Sequence, residues 1–473
     1  MLQHAVIAVI GSIRFALDGQ PRGQNPWRTI MRKHLVLVLG LAICTLADAQ
    51  LAKPPGLEKF DPVPAPPVTS LLLKRGDRLA ICGDSITEQK MYSRLMEDYL
   101  TVCVPELKVT VRQYGWGGER APGFLARMTN DCLRFNPTVA TTCYGMNDHE
   151  YRAYEDRIGQ TYRQKSRAIV DAFKANHARV VLGSAGCVGK VPGWVRTGNW
   201  TVDDLNLNLC RLRNIDIELA AQEKVRFADV FWPMLTAGAA AQKQFGTNYA
   251  IAGKDGVHPG WAGHTVMAYA FLKALGVSGD IGTFTVDLKR GKMKASSGHK
   301  VLSAKDGEFQ ICSSRYPFCA CLETAQGKPP YPVCDQDNPE RDDSIRSAMD
   351  LIPFNEDLNR LMLICKNAQA QAYRISWGTL TKEFTGEQLI HGVNLAAAFP
   401  CNPFCAAFAK VDTAVAAKQA YETRQVKIIF HGGEGKADMA GAVARTEQER
   451  APLAQAVAAA FVPVTHTLKI VPE

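Results

Sequence analysis

Arg78-Leu79-Ala80-Ile81-Cys82-Gly83-Asp84-Ser85-Ile86-Thr87-Glu88 is the stretch that decides the fold. Its apolar run at 79–82 reads as a short strand, Gly83 ends it, and helical periodicity follows over 89–100. The same unit recurs outward from it. Strands are predicted at 109–113, 138–143, 179–183 and 225–231, with helices over about 118–132, 154–175, 203–222 and 261–275. Strands alternating with helices at this spacing predict an α/β fold of three layers, α/β/α, around a mostly parallel five-stranded sheet. Such sheets place their chemistry at the carboxyl ends of the strands. The polar signatures fall there, after the first, second, third and last strands.

Ser85 follows the first strand at a strand-to-helix turn, where a hydroxyl stands exposed beside backbone N–H groups. A serine hydroxyl is a weak nucleophile and needs a base and a group that orients the base. Asp255-Gly256-Val257-His258 supplies both, with either Asp255 or a backbone oxygen holding the imidazole of His258. A tetrahedral intermediate also needs donors for its oxyanion. Three are available: the N–H of Ser85, the N–H of Gly118 in Tyr114-Gly115-Trp116-Gly117-Gly118-Glu119, and the amide of Asn147 in Gly145-Met146-Asn147-Asp148. Each piece alone is an ordinary turn or capping pair; their order and strand-end placement give them meaning together.

These blocks resemble the SGNH, or GDSL-type, esterase and lipase family over about residues 77–275. GDSITE at 83–88, QYGWGGERA at 113–121, GMND at 145–148 and DGVHPG at 255–260 match its four motifs in order. The resemblance implies a flavodoxin-like SGNH hydrolase fold and an ester-cleaving activity that uses no metal or other cofactor. It implies Ser85 as nucleophile, His258 as general base, Asp255 as orienting acid, and Ser85, Gly118 and Asn147 as the oxyanion hole. Gln113 stands where the second motif usually has Asn, a change expected to alter only how that loop is braced. Trp116, Tyr144, His149 and Glu150 lie beside the motifs as candidate substrate contacts. His264, on the last helix, reads as a satisfied histidine rather than a second base.

The chain has 473 residues with 55 basic and 46 acidic side chains, too long for one ordinary core. That mild excess, without a Lys/Arg block or zinc-finger spacing, argues against nucleic acid as a partner. Residues 31–49 have the basic start, short apolar run and Ala47-Asp48-Ala49 end of a secretory signal, with cleavage expected after Ala49. The apolar run is too short to span a bilayer comfortably. Residues 1–30 read as an extension from an early start codon, and 50–76 as a proline-rich lead-in. The hydrolase domain is assigned to 77–278, and 279–473 to an accessory region of mixed strands and helices: a small sandwich with helices, or an excursion that packs back on the hydrolase. Export would permit disulfides among the 14 cysteines, although Cys82 and Cys143 read as small core side chains.

The expected substrate is an acylated carbohydrate or another small ester, at the periplasm or outside the cell. Two alternatives stand beside it: a lipase, lysophospholipase or thioesterase, and a non-catalytic polysaccharide-binding protein. Oligomeric state is left open.

Overall fold

β1 (Arg78–Gly83) is buried along nearly its whole length, as a central parallel strand covered on both faces must be. In the computed structural model, which describes residues 53–320 and 340–473, it pairs in parallel with β2 (Thr110–Gly115) on one side and β3 (Val139–Cys143) on the other. β4 (Arg179–Gly183) and β5 (Arg226–Ala228) complete an all-parallel sheet in the order β2-β1-β3-β4-β5. Pro54–Glu473 form one compact unit. The signal-like segment 31–49 and the extension 1–30 lie outside the described residues.

Helices follow the strands as their apolar spacing dictates. α1 (Ser85–Glu88) and α2 (Tyr92–Val102) follow β1, α3 (Ala121–Asp131) follows β2, α4 (Asp156–Ala175) follows β3, and α5 (Val202–Glu223) follows β4. α7 (Trp261–Leu275) closes the hydrolase portion, as the periodicity predicts. One reading fails at 225–231: β5 stops at Ala228, and Phe231–Phe245 form an additional helix, α6. The side chain of Asp229, which accepts from the Trp232 N–H, ends the extended run, and Phe231, Met234 and Ala241 then turn inward at helical spacing. Apolar residues at this junction suit either period, so sequence periodicity does not separate them.

Beyond α7 the chain builds two further sheets. β6 (Asp280–Asp287), β7 (Lys292–Ala295), β10 (Arg360–Lys366) and β13 (Val393–Asn394) form one, in the order β13-β10-β6-β7. The other has the order β12-β11-β14-β9-β8, using β8 (His299–Lys305), β9 (Glu308–Ser313), β11 (Ala372–Trp377), β12 (Leu380–Thr385) and β14 (Val464–Pro472). The short helices α8 (Ile345–Leu351), α9 (Phe354–Leu358), α10 (Gly386–His391) and α11 (Leu395–Ala398) connect them. Two longer helices, α12 (Cys405–Arg424) and α14 (Met439–Ala460), are joined by a π-helical turn, Gln425–Phe430, and by α13 (Gly433–Ala437). The strands of this region form two sheets, and its longer helices pack on the hydrolase portion.

That packing covers β2, the outer strand of the parallel sheet. Lys418 on α12 donates to the Val111 carbonyl at 2.7 Å, and Arg450 on α14 donates to the same oxygen at 3.2 Å. The Gln113 N–H donates to Glu422 at 3.3 Å. Lys418, buried, also pairs with Glu97 on α2 at 3.1 Å and with Glu422 at 2.9 Å. Side chains thus supply the hydrogen bonds that a sixth strand would otherwise make.

Ten cysteines among the described residues depart from the disulfide expectation. Cys82, Cys103, Cys132, Cys143, Cys187, Cys210, Cys312, Cys319, Cys365 and Cys405 are thiols, nearly all buried. Burial pushes the thiols of Cys82 and Cys143 well up, so they act as small apolar side chains.

Candidate active site

Parallel register assembles the site. Gly83 pairs with Gly115 and with Cys143, so the turns that leave β1, β2 and β3 emerge side by side. The first carries Ser85, the second Gly117-Gly118, and the third Asn147. Asp255 and His258 arrive from the loop between α6 and α7.

Ser85 opens α1, and Asp84 caps that helix by accepting the Ile86 N–H at 2.9 Å. Gly115 is required by close approach, because a Cβ there would lie 2.1 Å from the Glu88 nitrogen. Gly118 is required by its backbone, with φ at +70°, which turns the loop without side-chain strain.

Ser85 Oγ lies 2.8 Å from His258 Nε2, and His258 Nδ1 lies 2.7 Å from Asp255 Oδ2. The other carboxylate oxygen, Asp255 Oδ1, accepts the backbone N–H groups of Val257 and His258, each at 2.9 Å. The holder of the imidazole left open in sequence is therefore Asp255. Partial burial works to raise its pKa, but those N–H donors and the imidazole hold it below the usual carboxylate range. With Nδ1–H donated to a carboxylate, Nε2 is left as an acceptor facing the hydroxyl, the arrangement that lets a serine lose its proton.

Asn147 Nδ2 donates to the Glu119 carbonyl at 3.0 Å and lies 3.5 Å from Asp84 Oδ2. Beneath it, Asp148 accepts the N–H groups of Ala121 and Gly145, each at 3.0 Å, and so ties the second and third turns together. Burial raises the pKa of Asp84 to about 7 and that of Asp148 to about 6.

The four candidate substrate contacts fare differently. Tyr144 and His149 are corrected: Tyr144 packs in the core against Phe124 and donates to Glu119 at 3.0 Å, and His149 is wholly buried. Tyr144 continues β3 directly into the core, and the His149 ring bonds the Met146 carbonyl of its own turn. Burial lowers the pKa of His149 to about 4, so it is neutral. Trp116 is packed edge-on by His431 at 4.9 Å, with Arg127 and Lys427 over its ring. Glu150 pairs with Arg120, Arg152 and Arg157. His264 accepts the Tyr92 N–H through Nδ1 and bonds Gln89 through Nε2, a satisfied buried ring.

The accessory region reaches this loop too. Lys427, on the π-helical turn, pairs with Glu88 at 2.5 Å, and His431 pairs with the buried Asp131 at 2.8 Å. Gln113 joins in: its Oε1 accepts the Gly115 N–H at 3.0 Å, while its Nε2 bonds Thr423.

Two site neighbours escape the sequence reading. Trp194 is 47% exposed, and its indole centroid lies 6.0 Å from that of the His258 imidazole. Tyr151 meets Trp194 edge-on at 5.8 Å. Trp194 sits in the loop after β4, at the same carboxyl end as the other turns. Strand-end logic carried one strand further finds it.

Residues 81–266 match the GDSL-like lipase/acylhydrolase family. This chain carries a GDSL-like acylhydrolase domain. It is an ester-hydrolysing enzyme. The chain is 24% identical over 221 residues to an acetylxylan esterase of Geobacillus stearothermophilus, a match spanning 42% of this chain and 94% of the relative. Among solved structures it is similar to a gut microbial diltiazem-metabolizing enzyme, with 20% identity, a TM-score of 0.67, and coverage of 86% of this chain and 99% of that one. The likeness extends the shared fold well beyond the GDSL-like domain. A solved acetylxylan esterase from Geobacillus stearothermophilus is 20% identical with a TM-score of 0.35, covering 44% of this chain and 97% of its own. Among the described residues, no helix is long and apolar enough to cross a membrane.

Proposed function

We propose that the chain is an exported serine esterase that removes a small acyl group, foremost acetyl, from a carbohydrate. The observation that carries the chemistry is the continuous line Ser85 Oγ, His258 Nε2, His258 Nδ1, Asp255 Oδ2, with contacts of 2.8 and 2.7 Å. In this reading His258 takes the Ser85 proton as the oxygen attacks the ester carbonyl. The N–H groups of Ser85 and Gly118 and the Asn147 amide receive the oxyanion. His258 then protonates the leaving alcohol, and a water molecule, activated by the same imidazole, releases the acid from Ser85. Asp255 keeps the ring oriented and balances its charge while it is protonated.

The carbohydrate assignment draws on Trp194, an exposed indole beside His258 on which a sugar ring can lie. The acetylxylan esterase relative supports the same class. The experiment is a rate panel on purified protein, comparing acetylated xylan, short- and long-chain nitrophenyl esters and diltiazem, each repeated with Ser85→Ala and Trp194→Ala. Glycan deacetylation that needs Ser85, with KM raised by Trp194→Ala, is the expected result. Preference for long acyl chains would replace the carbohydrate with a lipid, and turnover insensitive to Ser85 would overturn the mechanism. Export rests on residues 31–49 and is tested by N-terminal sequencing of protein recovered outside the cytoplasm, which should begin at Gln50.

A further inference from the structure

An oxyanion donor must point the right way before the charge develops, because reorienting a dipole during the reaction cancels its benefit. Asn147 has a side chain that can face either way, since its oxygen and nitrogen differ little in shape. Its nitrogen is set against the Glu119 carbonyl at 3.0 Å, and its oxygen accepts from the Tyr151 hydroxyl at 3.0 Å. Turned over, the amide would face one carbonyl oxygen with another.

The Tyr151 ring is itself held from outside. Trp194 packs edge-on against it, with ring centroids 5.8 Å apart. The Tyr151 ring is held on its other side by His149, with centroids 4.6 Å apart. Backbone geometry at this turn is costly, with φ of +55° at Glu150 and +54° at Tyr151. Asn208 on α5, which is buried, pins it by donating to the carbonyls of His149 at 3.0 Å and Arg152 at 2.9 Å. A strained turn held from two elements persists for what it places, and what it places is the hydroxyl on Asn147.

We propose that Tyr151, braced by Trp194, is the positioning residue that locks the Asn147 amide with an N–H toward the oxyanion. The inference rests on the serine-esterase reading above. Its test uses the full chain and methyl acetate, whose alcohol has no ring to meet Trp194, with acid release followed at constant pH. Turnover abolished by Ser85→Ala establishes the underlying reading separately. Asn147→Ala should then lower kcat by about a hundredfold or more. Tyr151→Phe keeps the ring on His149 and should lower kcat about tenfold, with KM within about twofold. In the double variant the Tyr151 effect should vanish, because the group it positions is gone. Trp194→Ala, which removes the edge-on ring, should lower kcat in the same way but by less. Unchanged kcat in Tyr151→Phe, or a tenfold loss that persists on top of Asn147→Ala, overturns the proposal.

Discussion

At His258 both ring nitrogens are committed, Nδ1 to Asp255 and Nε2 to Ser85, and each contact depends on the other's protonation. Asp255→Asn keeps the shape but offers an amide that lets the ring settle in the wrong tautomer. Its kcat should fall by about 10³ to 10⁴ with little change in KM, read from initial rates on a small acetyl ester. Asp84, next to the nucleophile, predicts a different measurement. Its pKa rises from the ordinary 3.8 to about 7 in the folded chain, mainly through burial. Between about pH 4 and pH 7 the native state therefore keeps a proton that the unfolded chain has released. This contribution to stability is complete at the acid end and is lost as pH rises through about 7. Asp84→Asn retains an acceptor for the Ile86 N–H and carries no titration. Urea unfolding midpoints across that range should show the variant losing less stability with rising pH than the parent. An equal or steeper loss would mean that Asp84 titrates no differently in the folded chain.

At the scale of elements, the turn after β3 depends on α5 as much as on its own residues. Asn208→Ala removes both hydrogen bonds that pin it and leaves two carbonyls unsatisfied. Equilibrium unfolding should register a loss of about 1 to 3 kcal/mol, and kcat should fall because Asn147 rides on the same turn. The four motif turns were legible in sequence because each couples a strand end to a residue type with one chemical use. The alternating helices and strands were legible because each shows a single period. α6 was not, since Phe231 and Trp232 continue an apolar run that fits strand or helix until tertiary packing chooses. Trp194 was missed because an aromatic residue in a Pro-Gly loop carries no spacing signal of its own. Tyr144 and His149 were misplaced for the opposite reason: adjacency to a motif says nothing about which way a side chain points. The helices of 405–460 were partly readable, but nothing in their composition announces that Lys418, Glu422 and Arg450 face inward toward another sheet.

At the scale of the whole molecule, the hydrolase and accessory portions share buried charge. Lys418 lies between Glu97 of the first and Glu422 of its own helix, with Arg450 closing the group at 2.6 Å from Glu422. Lys418→Met would leave buried carboxylates short of a cation, a change that costs about 3 to 5 kcal/mol. Both portions should unfold in one cooperative transition, and the variant should shift that transition without splitting it, as calorimetry would show. Two separate transitions would mean that the portions are energetically independent. The way β2 is covered has another consequence. Its outward N–H and C=O groups are met by charged side chains, which cannot be extended into a further strand. A chain cut after Leu275 would bare that row beside the catalytic turns and offer it to any extended polypeptide, including another copy of itself. The shortened enzyme should thus fail first by self-association, at protein concentrations where its individual molecules still hold an intact catalytic group.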